Sequence, residues 1–325
     1  MTPREDFIKA LRREPIQGHV PHFELVMFLT MEAIGRIHPL HRDYSQWYQM
    51  SAAERRLHLV DMAKAYIETA EKYHHSAIFV HPNPGPNGEM PDDIESTRAI
   101  LETIRELSGD TYFLMIHGDP TYPIPTGDTM MEFSTMMYEE PEKIHDGTKR
   151  NVEFAQKLCD EMHKHPGLLD GWALCSDYCF NVNPFYSRDM FAEFVQPYLK
   201  EILDYYRANG YYSIKHTDGN VMPILDMIVD CGPDAVHSLD PQGGVDLAEA
   251  KRLYGDRVCL IGNVNCGLMQ TGTEEELIED VRRALRQGMP GYGYIFSTSN
   301  CAFTGLELKR YELMNKIWWE EGIYQ

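Results

Sequence analysis

The sequence predicts a single (β/α)8 barrel of the TIM type with extra N-terminal helices. Three observations carry that prediction. Helix-like and strand-like segments alternate along the chain, the order that builds a parallel sheet. Eight apolar runs each end in a polar cluster, as barrel strands do when core-filling residues come first and site residues stand at the carboxyl end. The chain has 325 residues, 43% of them hydrophobic, enough for one barrel over residues 1–325 with a sizeable core. A doubly wound sheet is the alternative architecture, but it calls for a phosphate-binding loop, and the chain has neither GxGxxG nor GxxxxGK[ST].

The elements follow in order. The eight strand candidates are residues 19–27 (HVPHFELVM), 76–82 (SAIFVHP), 112–119 (YFLMIHGD), 168–177 (LLDGWALCSD), 211–218 (YYSIKHTD), 234–240 (DAVHSLD), 258–265 (VCLIGNVN) and 294–300 (YIFSTSN). Helices are expected between them. Residues 51–73 read as one helix, and 141–163 are strongly periodic. Residues 187–209 open on a Ser cap and stop at Asn-Gly, so they read as a third helix. Thr273 with Glu276 three residues on forms a capping box for 273–287, and 246–254 is a short helix. Pro/Gly-rich stretches at 83–93 and 120–129 follow the second and third strands, where loops over a barrel mouth either carry specificity or simply connect.

Composition excludes several classes. Fifty acidic against 30 basic residues give a net charge of −20, without the basic face a nucleic-acid binder needs. A strongly polyanionic substrate fits this balance poorly, and a neutral or cationic one better. No run of ~18 apolar residues spans a membrane. The charged, amphipathic opening MTPREDFIKALRREP lacks the features of a secretory signal, so the expected location is the cytoplasm. Seven cysteines without a CxxC pair exclude a zinc ribbon, and in that compartment they stay reduced.

A barrel brings the carboxyl-end residues together: Glu24, His81, His117, Asp119, Asp177, Cys179, His216, Asp218, His237, Asp240, Asn263, Cys266 and Cys301. His216 and Asp218 are two apart on a strand and share a side with Ile214. Cys301 follows the last strand directly. A His, a carboxylate and a thiolate together satisfy zinc and leave one position open. Taken singly, His216 reads equally as a hydrogen-bonded pocket histidine and Cys301 as an inert buried thiol. His81 and His117 can be a base, a ligand or rim residues; Glu24 can be a ligand, a base or a salt-bridge partner. Met130, Met131, Met136, Met137, Tyr122, Phe180, Phe185 and Tyr186 either line an apolar pocket or pack helices.

Four segments resemble the uroporphyrinogen-decarboxylase-like superfamily: residues 2–21, 185–210, 216–241 (HTDGNVMPILDMIVDCGPDAVHSLDP) and 246–281. The resemblance implies a (β/α)8 barrel, in agreement with the strand count. It also implies one of two chemistries. True uroporphyrinogen decarboxylases carry Arg-rich and Asp positions that HFELVMFLT and SAIFVHP lack, so decarboxylation of uroporphyrinogen is not expected. The other branch holds zinc methyltransferases that pass a methyl group between a small molecule and a corrinoid protein. His216 and Cys301 match its ligand positions, and Asp218 stands where those acting on coenzyme M have Cys. The resemblance therefore implies Zn2+ on His216, Asp218 and Cys301, with Glu24 or Asp240 as substitutes for the middle ligand. His117, Asp177 and Glu24 are the candidate catalytic residues. The implied partners are a methylated small molecule, an aryl methyl ether before others, and a corrinoid protein; a homodimer is the candidate assembly. A metal-free decarboxylase or lyase using His216 and Asp218 as acid and base, and a non-enzymatic binding protein, are the competing readings.

Overall fold

The structure, a computed structural model, describes residues 1–85 and 94–324. The greater part of the loop expected at 83–93 thus lies outside the described residues. A two-residue strand, β1 (Gly18–His19), precedes seven barrel strands: β2 (Ala77–Val80), β3 (Phe113–His117), β4 (Gly171–Leu174), β5 (Tyr212–Thr217), β6 (Ala235–Ser238), β7 (Cys259–Ile261) and β8 (Tyr294–Ile295). β9 (Ile323–Tyr324) comes last and pairs antiparallel with β1, Gly18 opposite Tyr324. The seven are all parallel and lie side by side in chain order, with helices between them.

The eighth stave is the segment expected as the first strand, and here the expectation needs correcting. Residues 19–27 do not form one regular strand. Their first residue belongs to the β1–β9 pair, and the rest bridge two edges through scattered bonds. His22 bridges both His75 and Phe296 in parallel. Ser76 N donates to His22 O at 2.7 Å on one side; Phe296 N donates to Pro21 O at 2.8 Å on the other. Further up, Ala302 N donates to Val26 O at 3.0 Å. Pro21 has no N–H to offer a ladder, which breaks regular pairing while the segment still closes the barrel.

Strand alternation sorts the core. Phe23, Leu25, Ala77, Phe79, Phe113, Met115, Ala173, Ile214, Ala235, Cys259, Ile261 and Ile295 form one buried cluster inside the barrel. Ile78, Val80, Leu114, Ile116, Trp172 and Leu174, of the opposite parity, pack on the helices. The helix Pro3–Leu11, started by a Thr2–Glu5 capping box, plugs the bottom: the Phe7 ring sits 4.8 Å from Phe113 and 5.9 Å from Phe23. Asp170, just before β4, holds this end. It accepts from Arg4 at 2.6 Å, from Arg105 at 2.7 Å and from Leu114 N at 2.9 Å. With the amino ends of the strands closed, the open mouth is at their carboxyl ends.

Thr273 caps its helix with a complete capping box, as expected, and Ser51 does the same with Glu54 for the helix Ala52–Tyr73. The helix expected over 187–209 is two helices, Arg188–Phe194 and Gln196–Ala208, broken at Val195. Pro197, in the first turn of the second helix, has no N–H to donate back to Glu193 and its ring crowds that carbonyl, so the first helix cannot run on through it. Among the described residues no helix is long and apolar enough to cross a membrane.

Candidate functional site

β5 and β6 set the centre. In their register His216 lies opposite His237, both turned into the mouth by the alternation that puts Ile214 and Ala235 in the core. The two Nδ1 atoms are 2.8 Å apart. His216 Nε2 points toward two carboxylates, 3.6 Å from Asp218 Oδ1 and 3.7 Å from Asp177 Oδ1. Ligand atoms of Asp177, His216 and Asp218 all lie within 4.8 Å of one another. His216 is buried, while the Asp177 side chain is 43% exposed, so the group opens to solvent through its carboxylates.

Each member is held. Asp218 Oδ1 accepts from Ser238 Oγ at 2.9 Å, and Oδ2 from Asn300 Nδ2 at 2.6 Å. Asp218 N donates to Asp177 Oδ1 at 2.9 Å, tying the end of β5 to the segment after β4. Burial pushes the Asp218 carboxyl up, with His216 opposing. Burial and the neighbouring His216 hold the His237 imidazole well below the ordinary range, while the Thr298 backbone favours a proton on it. Gly219 turns the chain directly after Asp218 with φ +77°, and a Cβ there would collide with the carbonyls of Phe180 and Cys179.

Beneath the mouth lies an ion pair with both side chains fully buried. Lys215 Nζ donates to Asp119 Oδ2 at 2.8 Å, to Ser176 O at 2.7 Å and to Leu174 O at 3.2 Å, and it stands 4.1 Å from the centre of the Tyr178 ring. Asp119 also accepts from Thr121 Oγ1 at 2.6 Å and from Ser176 N at 2.9 Å. Burial alone would raise the Asp119 carboxyl; the charge and hydrogen bond of Lys215, with Thr121, outweigh it and hold the carboxyl at about 2. This pair fixes the residue next to Asp177.

One wall of the mouth is aromatic. Tyr122 meets Phe133 at 5.5 Å, and Phe185 meets Tyr186 at 5.0 Å and Phe180 at 6.1 Å. Asn220 N donates to Phe180 O at 3.1 Å, which binds this wall to the turn after Asp218. Phe180 remains 42% exposed. Of the methionines, Met137 is buried in the core and Met131 is exposed on the helix Met130–Glu139.

The other sequence candidates lie outside the close donor group. Glu24 is buried between the barrel wall and the helices; it accepts from Thr298 N and Thr298 Oγ1 and stands 3.6 Å from His22. Its neighbours Phe23 and Leu25 face the core, so alternation turns Glu24 outward. His117 is exposed at the end of β3. His81 packs tilted against Phe79 and edge-on to His38, and burial, with His117, pulls it down to about 4. Asp240 caps a turn through Gln242 N, and Asn263 binds Leu239 O and Arg283. Cys179 is buried beside the Gly219 turn. Cys301 is absent from the close group: its segment reaches Asp218 through Asn300, the preceding residue. Burial pushes the Cys301 thiol up to about 12, and Cys266, whose Sγ lies 3.8 Å from Cys301 O, up to about 11. Sequence reading passed over Lys215, Ser238 and Asn300. Strand parity was the available signal for Lys215, since it alternates with Ile214 and His216.

Fold and site define the class: a (β/α)8-barrel protein with a histidine and two carboxylates converging at the carboxyl ends of its strands, an arrangement able to hold a divalent cation or to move a proton. The family model for uroporphyrinogen decarboxylase (URO-D) matches residues 120–317. The chain belongs to that enzyme family. A uroporphyrinogen decarboxylase of Chlorobium luteolum is 29% identical over 163 residues, covering 47% of this chain and 41% of that protein. One from Shewanella loihica is 25% identical over 241 residues, 66% of this chain and 59% of its own length. The matches thus span only about two fifths to three fifths of these relatives' length. Among solved structures, a methyltransferase from Methanosarcina mazei superposes with a TM-score of 0.72 at 17% identity, covering 98% of this chain and 99% of that one. At that identity the likeness establishes the shared fold.

Proposed function

We propose that this chain is a methyltransferase that activates a methylated small molecule, an aryl methyl ether before others, for methyl transfer to a reduced corrinoid on a partner protein. The observation that carries the reading is the convergence of Asp177, His216 and Asp218 beside an aromatic cluster whose exposed member is Phe180. The donor set fits a metal. Two carboxylate oxygens and one imidazole nitrogen suit zinc, which accepts both ligand types. His216 Nε2 stands beyond hydrogen-bond reach of both carboxylates, yet all three face one another. Zinc, when bound there, supplies Lewis acidity at the leaving oxygen.

The chain's own residues do the rest. Phe180, Phe185 and Tyr122 offer an apolar face to an aromatic ring. Ser238 and Asn300 fix the Asp218 carboxylate; the Lys215–Asp119 pair fixes the segment that carries Asp177. In the reaction the methyl carbon–oxygen bond breaks, the methyl group goes to cobalt, and the electron pair stays on the oxygen, which leaves as a phenolate. The solved methyltransferase of the same fold supports this reading as a precedent for the chemistry on such a barrel.

Metal content of protein purified without chelators tests the zinc, with about one zinc per chain expected. His216→Gln should lose it, and Asp177→Asn should weaken it more than Cys301→Ser. Mixing the protein with reduced corrinoid proteins and a panel of methoxyarenes, methylamines and methyl thioethers should give methylcob(III)amide absorbance. A second reading, a metal-free lyase with His216 and Asp218 as base and acid, is favoured by the raised Asp218 carboxyl. A zinc-free protein that transfers no methyl group across the panel would decide for it.

A further inference from the structure

The geometry points to His237 as the residue that commits His216 to presenting a bare Nε2 to the two carboxylates; this assignment rests on the metal-binding reading of the mouth. It follows from counting protons. Two imidazole nitrogens 2.8 Å apart share one hydrogen bond, so one Nδ1 carries a proton and the other accepts it. Three arrangements satisfy this: His237 donates; His216 donates with its Nε2 bare; or His216 donates as an imidazolium protonated on both nitrogens. If His237 donates, the neutral His216 ring carries its own proton on Nε2, aimed at Asp177 and Asp218. A charge-assisted N–H to carboxylate bond closes to about 2.7–2.9 Å. Here the distances are 3.6 and 3.7 Å, beyond hydrogen-bond reach, with two carboxylates available and neither drawn in. If His216 donates, the same distances speak against a second proton on Nε2, as the imidazolium would require, and leave a lone pair that faces the two carboxylates across a gap a cation can fill.

The second arrangement also accounts for the rest of the pair. His237 accepts on Nδ1, so its remaining proton belongs on Nε2. That atom is buried, and the neighbouring Thr298 backbone favours a proton on the ring, so no neighbour demands the opposite tautomer. The partners of the ring cannot drift. His216 and His237 are paired residues of adjacent central strands, and the His237 ring is wedged against Phe23 at 6.3 Å inside the barrel. A histidine ligand whose other nitrogen donates to a fixed acceptor keeps its ring plane and tautomer set. Neither carboxylate can take that role, because both lie on the Nε2 side of His216. His237 is therefore a positioning residue: it acts through His216 and touches none of the carboxylates.

The test uses the full chain labelled with 15N-histidine, His216 being assigned by its loss in His216→Gln. The expected spectrum has the His216 proton on Nδ1, slowly exchanging, both without metal and with added zinc. Zinc affinity is then measured by chelator competition in His237→Phe, which removes the acceptor, and in His237→Asn, whose carbonyl restores one. The phenylalanine variant should bind zinc about 10- to 100-fold more weakly, and the asparagine variant should recover most of that loss. Circular dichroism checks that both fold. If the phenylalanine variant does not fold, the wild-type spectrum with the asparagine variant decides. A proton on His216 Nε2, or a folded His237→Phe with parental zinc affinity, overturns the assignment and leaves the zinc reading standing. A parent chain that takes up no zinc but keeps the proton on His216 Nδ1 overturns the zinc reading and leaves the histidine pair as assigned.

Discussion

Replacing Lys215 by Met should be the most damaging conservative substitution beneath the mouth. Methionine matches the stem of lysine but removes the charge, leaving the Asp119 carboxylate fully buried without its counter-ion. The magnitude comes from two directions. Lys215 helps lower the Asp119 pKa from 3.8 to about 2, and at 1.36 kcal/mol per tenfold change in the protonation constant this is about 2.4 kcal/mol. Removing one partner of a buried pair costs about 3–5 kcal/mol, because an uncompensated charge stays behind. At the lower end of about 2 °C per kcal/mol for larger domains, Tm should fall by roughly 6–10 °C. The pH dependence has a definite sign. A carboxyl depressed in the folded state contributes stability that is fully present above 3.8 and is lost as pH falls toward about 2. The parent should therefore lose this contribution between those values, and Lys215→Met should show no such loss. Urea unfolding of the parent, Lys215→Met, Asp119→Leu and the double variant measures the coupling. The double variant should be less damaged than the sum of the singles but should not return to parental stability, because the Thr121 and Ser176 donors then lack the oxygens they now reach. A Lys215→Met protein within about 1 kcal/mol of the parent would refute the reasoning, since exposed pairs cost about that little.

Two further substitutions test the scaffold. Gly219→Ala puts a Cβ at a positive φ and against the Phe180 and Cys179 carbonyls; it should cost more than about 1–3 kcal/mol in urea unfolding and weaken zinc binding by displacing Asp218. Asp170→Asn withdraws the carboxylate from Arg4 and Arg105 and should cost about 1.5–3 kcal/mol in urea unfolding, with zinc affinity unchanged because Asp170 stands at the opposite end of the barrel.

The barrel was legible because its signals are local and repeat. Each strand must fill a core before it reaches solvent, so each apolar run ends in polar residues whatever lies elsewhere in the chain. Parity carried further: it placed His216 and Asp218 on one side together. The same rule applied to Glu24 between Phe23 and Leu25 turns that carboxylate outward, and applied to Lys215 it turns a lysine into the helix-facing layer. The irregular first stave and the break at Val195 had signals too, in Pro21 and Pro197, each of which removes a backbone donor.

The sequence by itself determined the alternation, the capping box at Thr273, and the convergence of histidines and carboxylates at the strands' carboxyl ends, because these depend on spacings of a few residues. Only the tertiary structure decided which of them meet. Asp177 joins His216 and Asp218 through a backbone bond from Asp218, made across residues 41 apart. Asn300 rather than Cys301 reaches Asp218 across 82 residues, and Lys215 finds Asp119 across 96. The shear between adjacent strands and the path of each loop set those meetings. They are sums of small displacements over whole elements, and no local pattern of residue types encodes them.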